Sequence, residues 1–208
     1  MIIFSIRICQ KNGLIAKSKN MLLIFILNWL KPIIIYQIKT KYHYMNVEAS
    51  RLVDFFESAR KITMYYFNKL KDVGYDRVPV ADGVALNSAR WIMAHLVWTE
   101  NFLLLQGLGG EQVTFPWFSK VAFGTPLAKP EELPPIEEIL EGMKQVHEAA
   151  IAHLQTLTDE QLLEPNFNGM SFSGDNSKRF LVLHACRHES GHAGQLGWHC
   201  KIAGIKTI

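Results

Sequence analysis

Three histidines spaced four apart, His184, His188 and His192, lie in the segment HACRHESGHAGQLGWHC together with a fourth, His199. The whole chain holds 8 histidines in 208 residues, so this crowding needs a chemical or a packing reason. Residues four apart on a helix share a face, about 40° around and about 6 Å along. Two imidazoles so placed can bind one ion. His188 with His192, and His184 with His188, both have this spacing. His184 and His192 lie about 12 Å apart along a helix axis and cannot share one ion. One overlapping pair is therefore the candidate, and the third histidine is its neighbour.

A catalytic or structural metal site needs at least a third ligand. His95, in WIMAHLVWTE, stands in the stripe Trp91, His95, Trp98, Phe102, Leu105 and points where an apolar residue is expected. Burying a polar group without a partner costs about 1–3 kcal/mol, and a metal would be such a partner. Two plainer readings stand beside this one. An inward histidine is often a hydrogen-bonded core residue, and an HxxxH pair is often a solvated helix face. His147, His153 and His199 read as surface or rim residues. Gly191, Gly194 and Gly197 recur every three residues in the same segment, each costing a helix about 1 kcal/mol. Close helix approach or room beside a metal would offset that cost, and a frayed or kinked helix is the alternative.

The elements that must position these residues are helices. Apolar residues recur with helical period and alternating runs are scarce. A first helix spans about 47–72, with Leu52, Phe55, Ala59, Ile62, Tyr66 and Val73 as its apolar stripe. A second spans about 87–106, capped by Asn87 or Ser88 and stopped at GLGG. A third spans about 136–156 with Pro135 at its start, and a last one about 177–203. Thr158 and Gln161 have capping-box spacing. Two long connections remain, QVTFPWFSKVAFGTPLAKPEELPP and EPNFNGMSFSGDN, and loops of this length often cover a site. The expected fold class is all-α, a four-helix bundle with long crossover loops.

Composition narrows the function classes. The net charge of +3 is uneven: residues 1–44 carry seven basic residues and no acid, while the remainder carries 15 basic against 19 acidic residues. An acidic body argues against nucleic-acid binding. The three cysteines, Cys9, Cys186 and Cys200, form no CxxC pair, which suggests reduced thiols. The stretch MLLIFILNWLKPIIIYQIK is broken by Lys31-Pro32 and lacks a small-residue cleavage site. Residues 1–44 are therefore expected to be an over-extended start preceding Met45, with a membrane anchor or a cleaved signal as alternatives. Residues 45–208 form the expected domain.

HLVWTE on the second helix and HESGHAGQLGWHCKIAGI on the last resemble the DinB-like superfamily of metal-binding four-helix-bundle proteins. The resemblance covers about residues 47–205. The family pattern pairs a histidine on the second helix with an HxxxH on the last, followed by a Gly-Gln step and ending near a glycine. Here those residues are His95, His188, His192, Gly194-Gln195 and Gly204. The resemblance selects His188 and His192 over His184, which sits one turn earlier and departs from the core pattern. It implies a divalent metal, nickel or zinc most often, held by His95, His188 and His192. It also implies a bacterial, cytoplasmic protein with a small-molecule substrate, compatible with a homodimer.

Three neutral imidazoles leave coordination positions open, the mark of a catalytic rather than a structural site. Several relatives use low-molecular-weight thiols such as bacillithiol or mycothiol, so the expected activity is metal-dependent thiol S-transfer to small electrophiles. A metal-dependent hydrolase and a non-enzymatic metal- or ligand-binding stress protein are the alternatives. His184, Gln195, Glu100 and Glu189 are the candidates to line the pocket or support the ligands. Glu189 adjoins His188, but consecutive helical residues point about 100° apart. Trp91, Trp98 and Trp198 are expected in the core, with apolar walls of the site as the alternative.

Overall fold

The computed structural model describes residues 28–33, 46–126 and 128–207. The chain divides into two units, Met1–Met45 and Asn46–Ile208. In the first, residues 28–33 are helical, with Trp29 and Ile33 exposed. Cys9, His43 and most of the basic hydrophobic extension lie outside the described residues. Among those described, no helix is long and apolar enough to cross a membrane.

Among its described residues the second unit is mostly helical, with one small hairpin and two isolated β-bridges, Pro165 with Ser177 and Phe172 with Asp175. Its helices are α1 (Val47–Lys69), α2 (Ala89–Glu100), α3 (Phe118–Val121), α4 (Ile136–Leu154), α5 (Asp159–Leu162) and α6 (Lys178–Ile202). A π-helical stretch, Asn101–Gln106, continues α2. The hairpin pairs β1 (Val80–Ala81) antiparallel with β2 (Val84–Ala85), with Val80 opposite Ala85. The long helices α1 and α6 pack along each other, α2 packs on α4, and α6 also meets α2.

Helix starts follow from side-chain chemistry. Ser88 Oγ accepts the Trp91 N–H at 3.2 Å, and Ser177 Oγ accepts the Phe180 N–H at 3.1 Å. Thr158 and Gln161 exchange both bonds of a capping box. Each such cap stabilises its helix by about 1 kcal/mol. These caps fix the phase of the two helices that carry the histidines. Helix α2 is buried on nearly every side, with Ile92, Met93, Ala94, Leu96 and Val97 all in the core. A helix so surrounded is an interior one.

Helix α1 differs from the sequence reading. Of the expected stripe, Phe55 is 57% exposed, and Ile62 and Val73 are also exposed. The buried face is Ala49, Leu52, Val53, Phe56, Ala59, Arg60, Thr63 and Phe67. Arg60 and Thr63 occupy core-facing positions that a reading by hydrophobicity passes over, while Phe55 and Ile62 remain outside.

The glycines of α6 also divide. The helix is continuous, so fraying is not their role. A Cβ on Gly197 would touch the Tyr66 ring of α1 at an ordinary 3.4 Å, whereas Gly191 and Gly194 face open space. By contrast, Gly107 sits where a Cβ would collide with the Leu181 side chain and the Leu103 carbonyl. Replacing Gly191 with alanine is expected to raise Tm by about 2–4 °C through helix propensity. Gly107→Ala is expected to lower it. Thermal denaturation of the two variants checks both signs.

Candidate metal centre

His95 is carried two turns into α2, and His188 and His192 face it from α6. The Nε2 atoms of His95 and His188 are 3.4 Å apart. Ring centroids of His95 lie 5.2 Å from His188 and 5.1 Å from His192, and those of His188 and His192 are 4.6 Å apart. One ring nitrogen from each lies within 4.8 Å of the others, so the three could hold a metal ion.

Hydrogen bonds on the far nitrogens aim the near ones. His95 Nδ1–H donates to the Val121 carbonyl at 2.7 Å. Val121 closes α3, inside the long connection after α2, so this loop does cover the site. His192 Nδ1–H donates to Gln195 Oε1 at 2.9 Å. Each bond assigns the proton to Nδ1 and leaves Nε2 with its lone pair, which on His95 also lies 3.3 Å from Thr99 Oγ1. His188 Nδ1 is buried without a partner among the described residues.

Charge state agrees with this geometry. Burial, partly offset by the Val121 bond and reinforced by His192, pushes the His95 pKa down to about 4. Burial, reinforced by His192, His95 and His184, pushes His188 down to about 3. Burial also lowers His192, against the Gln195 bond. All three are therefore neutral near pH 7, the form that ligates metals. The donor set of three neutral nitrogens suits a borderline dication, and it leaves coordination positions for other ligands. The rings of Trp91 and Trp98 stack on His95 at 4.7 and 5.8 Å. An apolar pocket of about 260 Å³, lined by Leu86, Ile92, Trp198 and Ile202, shares Gln195 with this cluster.

The other expected residues fall in different places. His184 stands outside the cluster. Its ring stacks on Phe172 at 4.0 Å, and its Nδ1 accepts from Arg187 at 2.8 Å. Glu100 and Glu189 are buried and both bind Arg60, at 2.7 and 2.8 Å. Trp198 is 62% exposed, not core. His147 lies at the rim, half-buried, and its two nitrogens meet Glu100 at 2.7 Å and Glu57 at 3.1 Å. Burial opposes its charge, but the bond to Glu100, the Glu100 charge and the bond to Glu57 together outweigh it and raise the pKa. His199 is buried and donates to the Asn87 carbonyl. Burial raises the Cys186 thiol to about 12, which makes it a packed residue and not a nucleophile.

Sequence reasoning missed Arg60, His147 and the Val121 carbonyl. Arg60 had one legible signal: it shares a helix face with Leu52, Phe56, Thr63 and Phe67, an apolar row interrupted by a charge. The loop carbonyl had none, because a backbone acceptor carries no residue type.

These features define a helical protein with a three-histidine cluster on two adjacent helices. The model of the DinB superfamily matches residues 56–196, which include all three histidines. The chain belongs to that superfamily. No curated protein matches it.

The lowered histidines set a pH dependence. Their folded pKa values lie below the ordinary value of about 6.5, so the unfolded chain binds more protons on acidification. Their contribution to stability is complete above about pH 6.5 and lost as pH falls toward about 4. His147 acts with the opposite sign but stands alone against five lowered histidines. The metal-free protein should therefore lose Tm between pH 6.5 and 4.5, and His188→Leu should flatten that slope. A Tm that rises on acidification in this window would contradict the assignment.

Proposed function

We propose that His95, His188 and His192 hold a nickel or zinc ion, and that the protein transfers a low-molecular-weight thiol to small electrophiles. The observation that carries the metal reading is the convergence of three neutral imidazoles whose outer nitrogens are engaged or buried. When bound, the ion supplies Lewis acidity and lowers the pKa of a thiol or water beside it. The remaining work belongs to the chain. Val121 and Gln195 hold two of the rings in place. Trp91 and Trp98 wall the His95 side, limiting water. The apolar pocket accepts the hydrocarbon part of an electrophile, and the Gln195 amide hydrogens, not used by His192, remain to bind a polar group.

In the proposed reaction the thiol gives its proton to solvent, and sulfur forms a bond to an electrophilic carbon. The leaving group departs with the bonding pair. Supplied with nickel or zinc and with bacillithiol or mycothiol, the protein is expected to accelerate the consumption of monochlorobimane. His188→Ala should reduce the rate to background with helix content unchanged by circular dichroism. A metal-loaded protein that accelerates neither thiol's reaction, or a variant with undiminished rate, would contradict the transferase reading.

A further inference from the structure

Arg60 is a buried cation at the junction of the four long helices. Its Nε and Nη2 grip Glu189 of α6 at 2.8 and 3.2 Å, and Nη2 also meets Glu100 of α2 at 2.7 Å. His147 of α4 joins through Glu100 and reaches Glu57 of α1. The side chains of Arg60, Glu100 and Glu189 are 7%, 1% and 2% exposed. Burial works against the guanidinium charge, but Glu100 and Glu189 outweigh it and hold its pKa above the ordinary value.

A buried ion cluster is a weak source of net stability, because desolvation consumes most of the Coulombic gain. Its location offers a different reason for it. Glu189 follows His188 directly and stands three residues before His192, and Glu100 stands five residues after His95. Arg60 comes from α1, which bears none of the three histidines, yet it ties together the two helices that do. The forked contact with Glu189 also fixes rotation, since two parallel N–H bonds to one carboxylate specify a plane.

The cluster also adjoins His188. Glu100, Glu189, Thr99 and His188 line one cavity of about 10 Å³, roughly the space that one water needs. His95 and His192 each give their outer N–H to an acceptor within the protein, and among the described residues His188 Nδ1 has none. Metal-binding imidazoles ordinarily donate that hydrogen to a carboxylate, a carbonyl or a water.

From this we infer that Arg60 is a positioning residue for the metal site: it locks Glu100 and Glu189 so that α2 and α6 present their histidines in register. A water between these carboxylates and His188 Nδ1 completes the support of the third ligand. The inference rests on the metal reading above.

The test measures affinity for Zn²⁺ alone, by competition with a chromogenic chelator, in the full chain. Arg60→Met by itself would strand two buried carboxylates, so the main variant is Arg60→Met/Glu100→Gln/Glu189→Gln, which removes all three charges together. It is expected to keep its helix content and to bind Zn²⁺ about 10- to 100-fold more weakly. Arg60→Lys keeps the charge but loses the fork, and should weaken binding several-fold. Leu154→Ala, a core change in α4, serves as a destabilised control and should bind with wild-type affinity. Wild-type affinity in Arg60→Lys, or in the folded triple variant, would overturn the inference while leaving the metal reading intact. Equal weakening in Leu154→Ala would also overturn it, by reducing Arg60 to general stability. Absence of Zn²⁺ binding in the wild type would remove the metal reading itself.

Discussion

Three imidazole lone pairs must converge in a partly dry place, and much of the structure follows from that constraint. An imidazole is held with its bare nitrogen inward most firmly when its protonated nitrogen has an acceptor. His95 uses a loop carbonyl for this, and His192 uses an amide one turn along its own helix. The first solution requires the long connection after α2 to fold back and seat Val121 in the core, where it is fully buried. The second requires only helix geometry, since residues three apart are neighbours. The rings are thus prepared as neutral donors before any ligand arrives, by the same burial that lowers their pKa values.

The second constraint is charge. The core accommodates Arg60, Glu100 and Glu189 at once, with His147 at the margin. Such groups tolerate burial only when paired and hydrogen-bonded. Their mutual contacts draw one residue from each long helix, so the packing of α1, α2, α4 and α6 and the placement of the histidines share a common set of bonds. The π-helical stretch after Glu100 belongs to the same region. There the Phe102 carbonyl accepts from both the Gly107 N–H and the Asn168 amide, and Asn101 Oδ1 accepts from the Val113 N–H. The two long connections are thereby tied to the end of α2.

Much of this was legible in the sequence, for identifiable reasons. Ser88, Thr158 and Ser177 act through local hydrogen bonds, so the helix starts could be read within a residue or two. His95 stood out because it interrupts an apolar stripe, and His188 and His192 because their spacing fits one helix face. The stripe on α1 was misread because its true inner face includes Arg60 and Thr63, whose partners lie on other helices. The burial of His199 and the ion pairing of His147 are hidden for the same reason: their partners, the Asn87 carbonyl and Glu100, are distant in sequence. The hairpin at Val80–Ala85 and the helix at Phe118–Val121 are too short to carry a period. What the sequence conceals, in each case, is pairing across elements.

Whether His95, His188 and His192 hold a metal is measured directly by metal content. The full chain, produced without a histidine tag and incubated with nickel or zinc, would be analysed by plasma mass spectrometry beside His95→Ala and His192→Ala. About one divalent ion per chain, lost in both variants, is the predicted result. No bound ion in the wild type, or full occupancy in either variant, would contradict it and return these histidines to the role of packing residues.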